Sequence, residues 1–222
     1  MYKGIRLFLV LFMSVSALSL FGQIQIGEWR AHLNYPRALK AVETNDFIYC
    51  ATQSGVFKIH KVDNSMTTLS KVDGLSGVEV VTIDYDVVSK NIFIAYEGGL
   101  VDMLGEDYVV PIPYIANANA IIGNKSVKKF FFANGLAYMA NNFGVVVYDI
   151  AKREIRESYL NLAERGNQLE INDVSVFQNR VFISTRLGMR SGSIADNLLD
   201  FSFWRTDLEM GCNVMQVYNN EL

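Results

Sequence analysis

One motif recurs four times at a nearly fixed period. The chain reads FIYCATQSGVFKI at 47–59, NIFIAYEGGLVDM at 91–103, LAYMANNFGVVVY at 136–148 and RVFISTRLGMRSG at 180–192. The aligned glycines are Gly55, Gly99, Gly144 and Gly188, spaced by 44, 45 and 44 residues. Six positions before each stands an aromatic: Tyr49, Phe93, Tyr138 and Phe182. Four before each stands a small residue: Ala51, Ala95, Ala140 and Ser184. Val56, Leu100, Val145 or Met189 follows directly. Unrelated strands do not hold such a period, so the repeat constrains the fold more than any single motif.

The physics of the repeat is readable. Two turn-like residues precede each glycine, which predicts a three-residue hairpin loop with the glycine in the left-handed region. The aromatic and the small residue, two apart, share one face of a strand. The other face carries Ile48 and Cys50, Ile92 and Ile94, Ala137 and Met139, Val181 and Ile183. A strand with no polar face is covered on both sides. The aromatic then fills the space between sheets, and the small residue lets the next sheet approach. Burial on both faces at this period indicates an all-β chain folded as a β-propeller, with four recognisable four-stranded blades. A β-sandwich has similar strand density but no reason to repeat every 44 residues. In the second unit the strands are predicted at Val80–Asp84, Asn91–Tyr96, Gly99–Leu104 and Tyr108–Ile112. The stretch VMQVYNNEL at 214–222 resembles KAVETNDFIY at 40–49 and KKFFFANGLAY at 128–138. This predicts the start of a fifth blade and an incomplete ring. The alternative is a four-bladed ring that 212–222 closes against the first blade.

The first residues read differently. Lys3 and Arg6 precede an apolar stretch from Leu7 to about Leu20, and small residues follow at Ser19 and Gly22. A basic start, an apolar centre and small residues at its end predict a secretory signal peptide over 1–22, leaving the propeller at 23–222. Cleavage after Ser19 and cleavage near Gly22 both fit. The apolar stretch falls short of the ~20 residues a membrane span needs, and no basic cluster follows it. The mature chain is therefore expected to carry no transmembrane span. The formal net charge of −3 becomes −5 once Lys3 and Arg6 are removed, because 18 basic residues then stand against 23 acidic ones. No basic face marks a nucleic-acid binder. Cys50 and Cys212 lie in neither a redox nor a zinc spacing and are expected as free thiols.

Chemistry is sparse. His32 and His60 are the only histidines, and neither has the i+4 partner of a zinc motif. No nucleophile elbow, phosphate loop or dinucleotide fingerprint is present, so no catalytic, metal or cofactor-binding residue is assigned and no cofactor is expected. Asp84, Asp86 and Asp102 sit at strand ends, where a carboxylate serves either as an acid–base group or as a turn cap. Two stretches are candidates for ligand contact. KSVKKFFF at 125–132 places Lys125, Lys128 and Lys129 beside three phenylalanines, facing an anionic polymer or guarding a strand edge. EWRAHLNY at 28–35 supplies Arg30, with Trp29 expected to pack.

The stretch 73–100 is similar to the two-component regulator propeller repeat. Asp73-Gly74-Leu75-Ser76, Ile83-Asp84 and Gly98-Gly99-Leu100 match its pattern, although that repeat usually has Trp where this chain has Tyr49, Phe93, Tyr138 and Phe182. Over about 23–222 the chain resembles the start of the PorZ-type family of the Bacteroidetes type IX secretion system. GEWRAHLNY at 27–35, FIYCATQSGVFKI and SKVDGLS carry this resemblance. The resemblance implies a non-enzymatic protein of the cell surface or periplasm. It would work with a sortase-like protein in attaching secreted proteins to anionic lipopolysaccharide. The alternative is a periplasmic oligosaccharide-sensing propeller of a hybrid two-component regulator. A propeller enzyme would need clustered histidines, arginines or carboxylates at the central channel.

Overall fold

The strands form where apolar and aromatic residues alternate between two covered faces. In the computed structural model, which describes residues 37–163 and 167–217, they make four antiparallel sheets. Trp29, Arg30, His32 and the expected signal peptide lie outside the described residues. The first sheet holds β1 (Ala38–Glu43), β2 (Phe47–Thr52), β3 (Gly55–His60) and β4 (Met66–Leu69). The second holds β5 (Val80–Asp86), β6 (Asn91–Tyr96), β7 (Val101–Leu104) and β8 (Val109–Ile112). The third holds β9 (Val127–Ala133), β10 (Leu136–Asn141), β11 (Gly144–Asp149) and β12 (Glu154–Tyr159). The fourth holds β13 (Asp173–Phe177), β14 (Arg180–Thr185), β15 (Gly188–Ser193) and β16 (Arg205–Leu208). Each sheet is a meander in chain order. Tight links allow only antiparallel neighbours. Two of these links, Asn134-Gly135 and Gln178-Asn179, have positive φ at both residues, as the hairpin turn that matches strand twist requires.

The aligned glycine does a different job from the one its spacing predicts. Gly55, Gly144 and Gly188 pair directly with Thr52, Asn141 and Thr185, so these loops are two residues long, not three. Their φ values are 153°, 145° and 150°. A Cβ on Gly144 would stand 2.1 Å from the carbonyl oxygen of Tyr159, and one on Gly188 would stand 2.0 Å from that of Leu208. In the third and fourth blades the end of the outermost strand comes down onto the glycine, and no side chain fits between. Only the second blade has a three-residue loop, Glu97-Gly98-Gly99, with φ of 77° and 86° at its glycines and a 2.9 Å bond from Tyr96 N to Leu100 O. That loop delays β7 to Val101. The other strand predictions for this blade hold to within two residues.

The blades stack as the sequence predicts. Phe93, Ala95 and Met103 of the second blade pack against Phe130, Ala137, Met139 and Tyr148 of the third. Tyr138, Ala140 and Val147 of the third pack against Val174, Val181 and Ile183 of the fourth. Tyr49, Ala51 and Val56 of the first meet Ile83, Ile92 and Ile94 of the second. In the first three blades the aromatic-and-small face thus lies on the apolar face of the following blade. Phe93 sits among three other rings, 5.6 Å from Phe130, 5.1 Å from Phe132 and 6.2 Å from Tyr148.

The first strands β1, β5, β9 and β13 pack side by side in chain order, so the blades radiate from this row. Among the described residues the row is open, because β13 makes no extended contact with β1. Beyond β16, Cys212 N donates to Thr185 O at 3.0 Å. Val80 N to Gln53 O and Ile171 N to Asn141 O are the matching bonds where earlier blades begin. Residues 212–217 therefore enter where a further first strand would start. Replacing Gly144 with Ala forces a side chain into the Tyr159 carbonyl. It is expected to lower stability by about 1–3 kcal/mol in urea unfolding.

Candidate functional site

The row of first strands brings charged residues of neighbouring blades together. Lys40, Asp84, Lys129 and Asp173 each stand 15 residues before the aligned glycine, so the signs alternate along the chain. Lys40, Lys129 and Asp173 lie opposite Ala51, Ala140 and Ser184, whereas Asp84 lies opposite Phe93. Lys40 Nζ lies 2.6 Å from Asp84 Oδ2, and Lys129 Nζ lies 2.5 Å from Asp173 Oδ2. The first pair is partly open to water, whereas the Asp173 side chain is 1% exposed. Asp173 Oδ2 also accepts from Met215 N at 2.8 Å, and its Oδ1 accepts from Val174 N at 2.7 Å. One carboxylate thereby ties together the third blade, the fourth blade and the segment after it.

The three lysines singled out in the sequence are separated by this arrangement. Lys129 is held by Asp173. Lys128 pairs with Glu170 and reaches Asn172 Oδ1 at 3.4 Å. Arg186 Nε stands 3.8 Å from the other Glu170 oxygen. The hydrogen bond from Lys128 holds the Glu170 carboxyl below the usual carboxylate range. Lys125 Nζ donates to Ala116 O at 2.9 Å. Each of the three ammoniums meets an acceptor of the chain itself, so they do not form a shared cationic face. Phe130 and Phe132 turn to the second blade while Phe131 turns to the fourth.

The carboxylates weighed as acid–base groups are all engaged in structure. Asp84 binds Lys40. Asp86 caps a turn, accepting from Val88 N at 3.3 Å and Ser89 N at 3.0 Å. Asp102 is fully buried between Ser76 N at 2.7 Å and Tyr96 Oη at 2.8 Å. These contacts explain the DGLSG stretch at 73–77. Ser70 and Asp73 cap each other reciprocally, and Gly74 turns the chain at φ 97°. Leu75 is buried, and Ser76 docks on Asp102. Gly77 lies so close to the Tyr96 ring that a Cβ would stand 2.3 Å from Cγ. Sequence reasoning missed the Ser76–Asp102–Tyr96 lock, although the aspartate three positions after the hairpin glycine was its visible trace.

His60 Nδ1 lies 2.8 Å from Asp63 in an exposed turn. Asp63 also accepts from Ser65, and these bonds hold its carboxyl below the usual range. Cys50 and Cys212 are free thiols. Among the described residues no group of three or more His, Cys, Asp or Glu could hold a metal ion, and no helix is long and apolar enough to cross a membrane.

A family model for the type IX secretion system PorZ N-terminal beta-propeller domain matches residues 48–205. The chain belongs to this family. The match runs from β2 to the start of β16, across all four blades. PorZ of Porphyromonas gingivalis, described as an essential bacterial surface component of the type IX secretion system, is similar in structure. It shares 26% identity at a TM-score of 0.74 over 83% of this chain. The chain spans 25% of that PorZ chain. The extracellular domain of a putative hybrid two-component system, BT4673 of B. thetaiotaomicron, matches at 17% identity and a TM-score of 0.58, over 78% of this chain and 23% of that one. The computationally designed Ika8 protein matches at 10% identity and 0.56, over 81% of this chain and 52% of its own length. These last two share the fold. No curated protein matches the chain.

Two measurements probe this architecture. Lys129→Met strands the buried Asp173 and is expected to cost about 3–5 kcal/mol in urea unfolding. The half-exposed counterpart Lys40→Met is expected to cost about 1 kcal/mol or less. The second concerns pH. Burial raises the phenol pKa of Tyr49, Tyr96, Tyr138, Tyr148 and Tyr159 above the usual 10. The stability this represents is complete below pH ~10 and is lost as pH rises through the raised folded values. Tyrosinate absorbance is expected to lag in these five rings and to appear together with loss of the fold.

Proposed function

We propose that this chain is the propeller portion, residues 23–222, of an exported surface or periplasmic protein of the type IX secretion machinery, released from a signal peptide at 1–22. It assists a sortase-like protein in attaching secreted proteins to anionic lipopolysaccharide and catalyses no reaction itself. The observation that carries this reading is the PorZ family match across residues 48–205. Its nearest support is the surface role stated for PorZ of P. gingivalis, at 26% identity. The geometry agrees with a scaffold, since Asp84, Asp86 and Asp102 each hold backbone or neighbouring side chains in place. The likeness to the two-component regulator rests on fold alone, so sensing is the second reading.

The experiment is deletion of the encoding gene in its own host. Type IX cargo is expected to lose its attachment to the cell surface and to remain untrimmed, as read by cell fractionation and cargo mass. Re-expression of the gene restores both. Normal cargo attachment together with a lost transcriptional response to an oligosaccharide would overturn the proposal in favour of the sensor.

A further inference from the structure

We propose that a cleft on the outer side of the boundary between the second and third blades binds an apolar carboxylate. The cleft, about 540 Å³, lies between β8 with the one-turn helix α1 (Tyr114–Asn117) and strands β11 and β12. This is the size of a small-molecule site. Ile112 and Tyr148 form its buried floor, and Val110, Pro113 and Ile155 stand among its apolar walls. Arg153, an exposed residue, also lines it.

Arg153 is set up differently from its charged neighbours. Lys152 lies 3.8 Å from Glu154, and Arg156 lies 3.9 Å from Glu157. The Arg153 guanidinium has no carboxylate partner among the described residues. It lies over the Tyr108 ring instead, 5.0 Å from the centroid. That ring is itself fixed, because Tyr108 Oη donates to Asn91 Oδ1 at 2.8 Å. The backbone of Arg153 is fixed too, with φ of 58° and its N–H bonded to Asp149 O at 2.9 Å. Stacking holds a guanidinium in place without consuming its N–H donors. A planar fork of free donors lining an apolar cleft is complementary to a carboxylate on an apolar body. Glu154 also lines the cleft, with its charge turned to Lys152. The site therefore offers one uncommitted cation for one anionic group. The same chemistry occurs in a free fatty carboxylate and at the C-terminus of a peptide ending in an apolar residue.

The test is calorimetric titration of the whole chain with octanoate and with neutral octanamide. Two further probes are a pentapeptide ending in leucine and its C-terminal amide. Octanoate is expected to bind about tenfold or more tightly than octanamide, in line with a charge-assisted hydrogen bond. Arg153→Asn, chosen because Asn tolerates positive φ, is expected to abolish this preference and leave octanamide unchanged. Ala118→Phe, which fills the cleft, is expected to remove both ligands while the melting curve stays intact. Tighter binding of the acid peptide than of octanoate would identify a chain terminus as the source, and the reverse a free carboxylate. Equal affinity for octanoate and octanamide, or a preference that survives Arg153→Asn, would overturn the proposal. These outcomes do not depend on cargo attachment, so this site and the secretion reading stand or fall separately.

Discussion

Everything in this molecule depends on one contact repeated between blades. An aromatic ring and a small residue on one sheet lie against an apolar face on the next. The ring supplies buried apolar area, and the small residue lets the backbones come near enough for the area to be dry. Phe93 with Ala95 shows this most fully, because both are fully buried and the ring sits inside a cage of three others. A blade taken alone would expose both faces. The sheets are therefore stable only as neighbours, and the repeat in the sequence records that mutual dependence.

Two aspartates enter this packing on converging donors, although Asp102 Oδ1 itself has no partner among the described residues. Asp102 sits fully buried because Tyr96 and the Ser76 backbone both donate to it. Asp173 sits at the innermost strand because Lys129, Val174 and Met215 converge on it. A buried carboxylate with such partners fixes the position of three chain segments at once. This accounts for how a chain with so few acid–base candidates still places aspartates deep in the fold. They orient blades and loops.

Much of the architecture was legible because the period is a property of the whole chain. The four hairpins, the pairing of faces and the strand limits of the second blade follow from residue spacing alone. The glycine was read correctly as necessary but for another cause. Its spacing suggests a turn, whereas the real constraint is the carbonyl of Tyr159 or Leu208, which belongs to a strand 15 to 20 residues further on. A contact of that kind leaves no local signature. The lysines of 125–132 illustrate the same limit. Their clustering in sequence leaves an anionic partner and a guarded strand edge both open, and each lysine meets an acceptor contributed by another segment. The cleft beside Arg153 is likewise invisible in sequence, since Tyr108 and Arg153 lie on different blades.

The alternation of Lys40, Asp84, Lys129 and Asp173 overlays a two-blade rhythm on the one-blade repeat. Loss of the second unit alone would set lysine beside lysine, and loss of the third aspartate beside aspartate, in this order. Loss or gain of a pair would leave every sign opposed. The chain thus counts its blades in twos, although its hairpins repeat in ones.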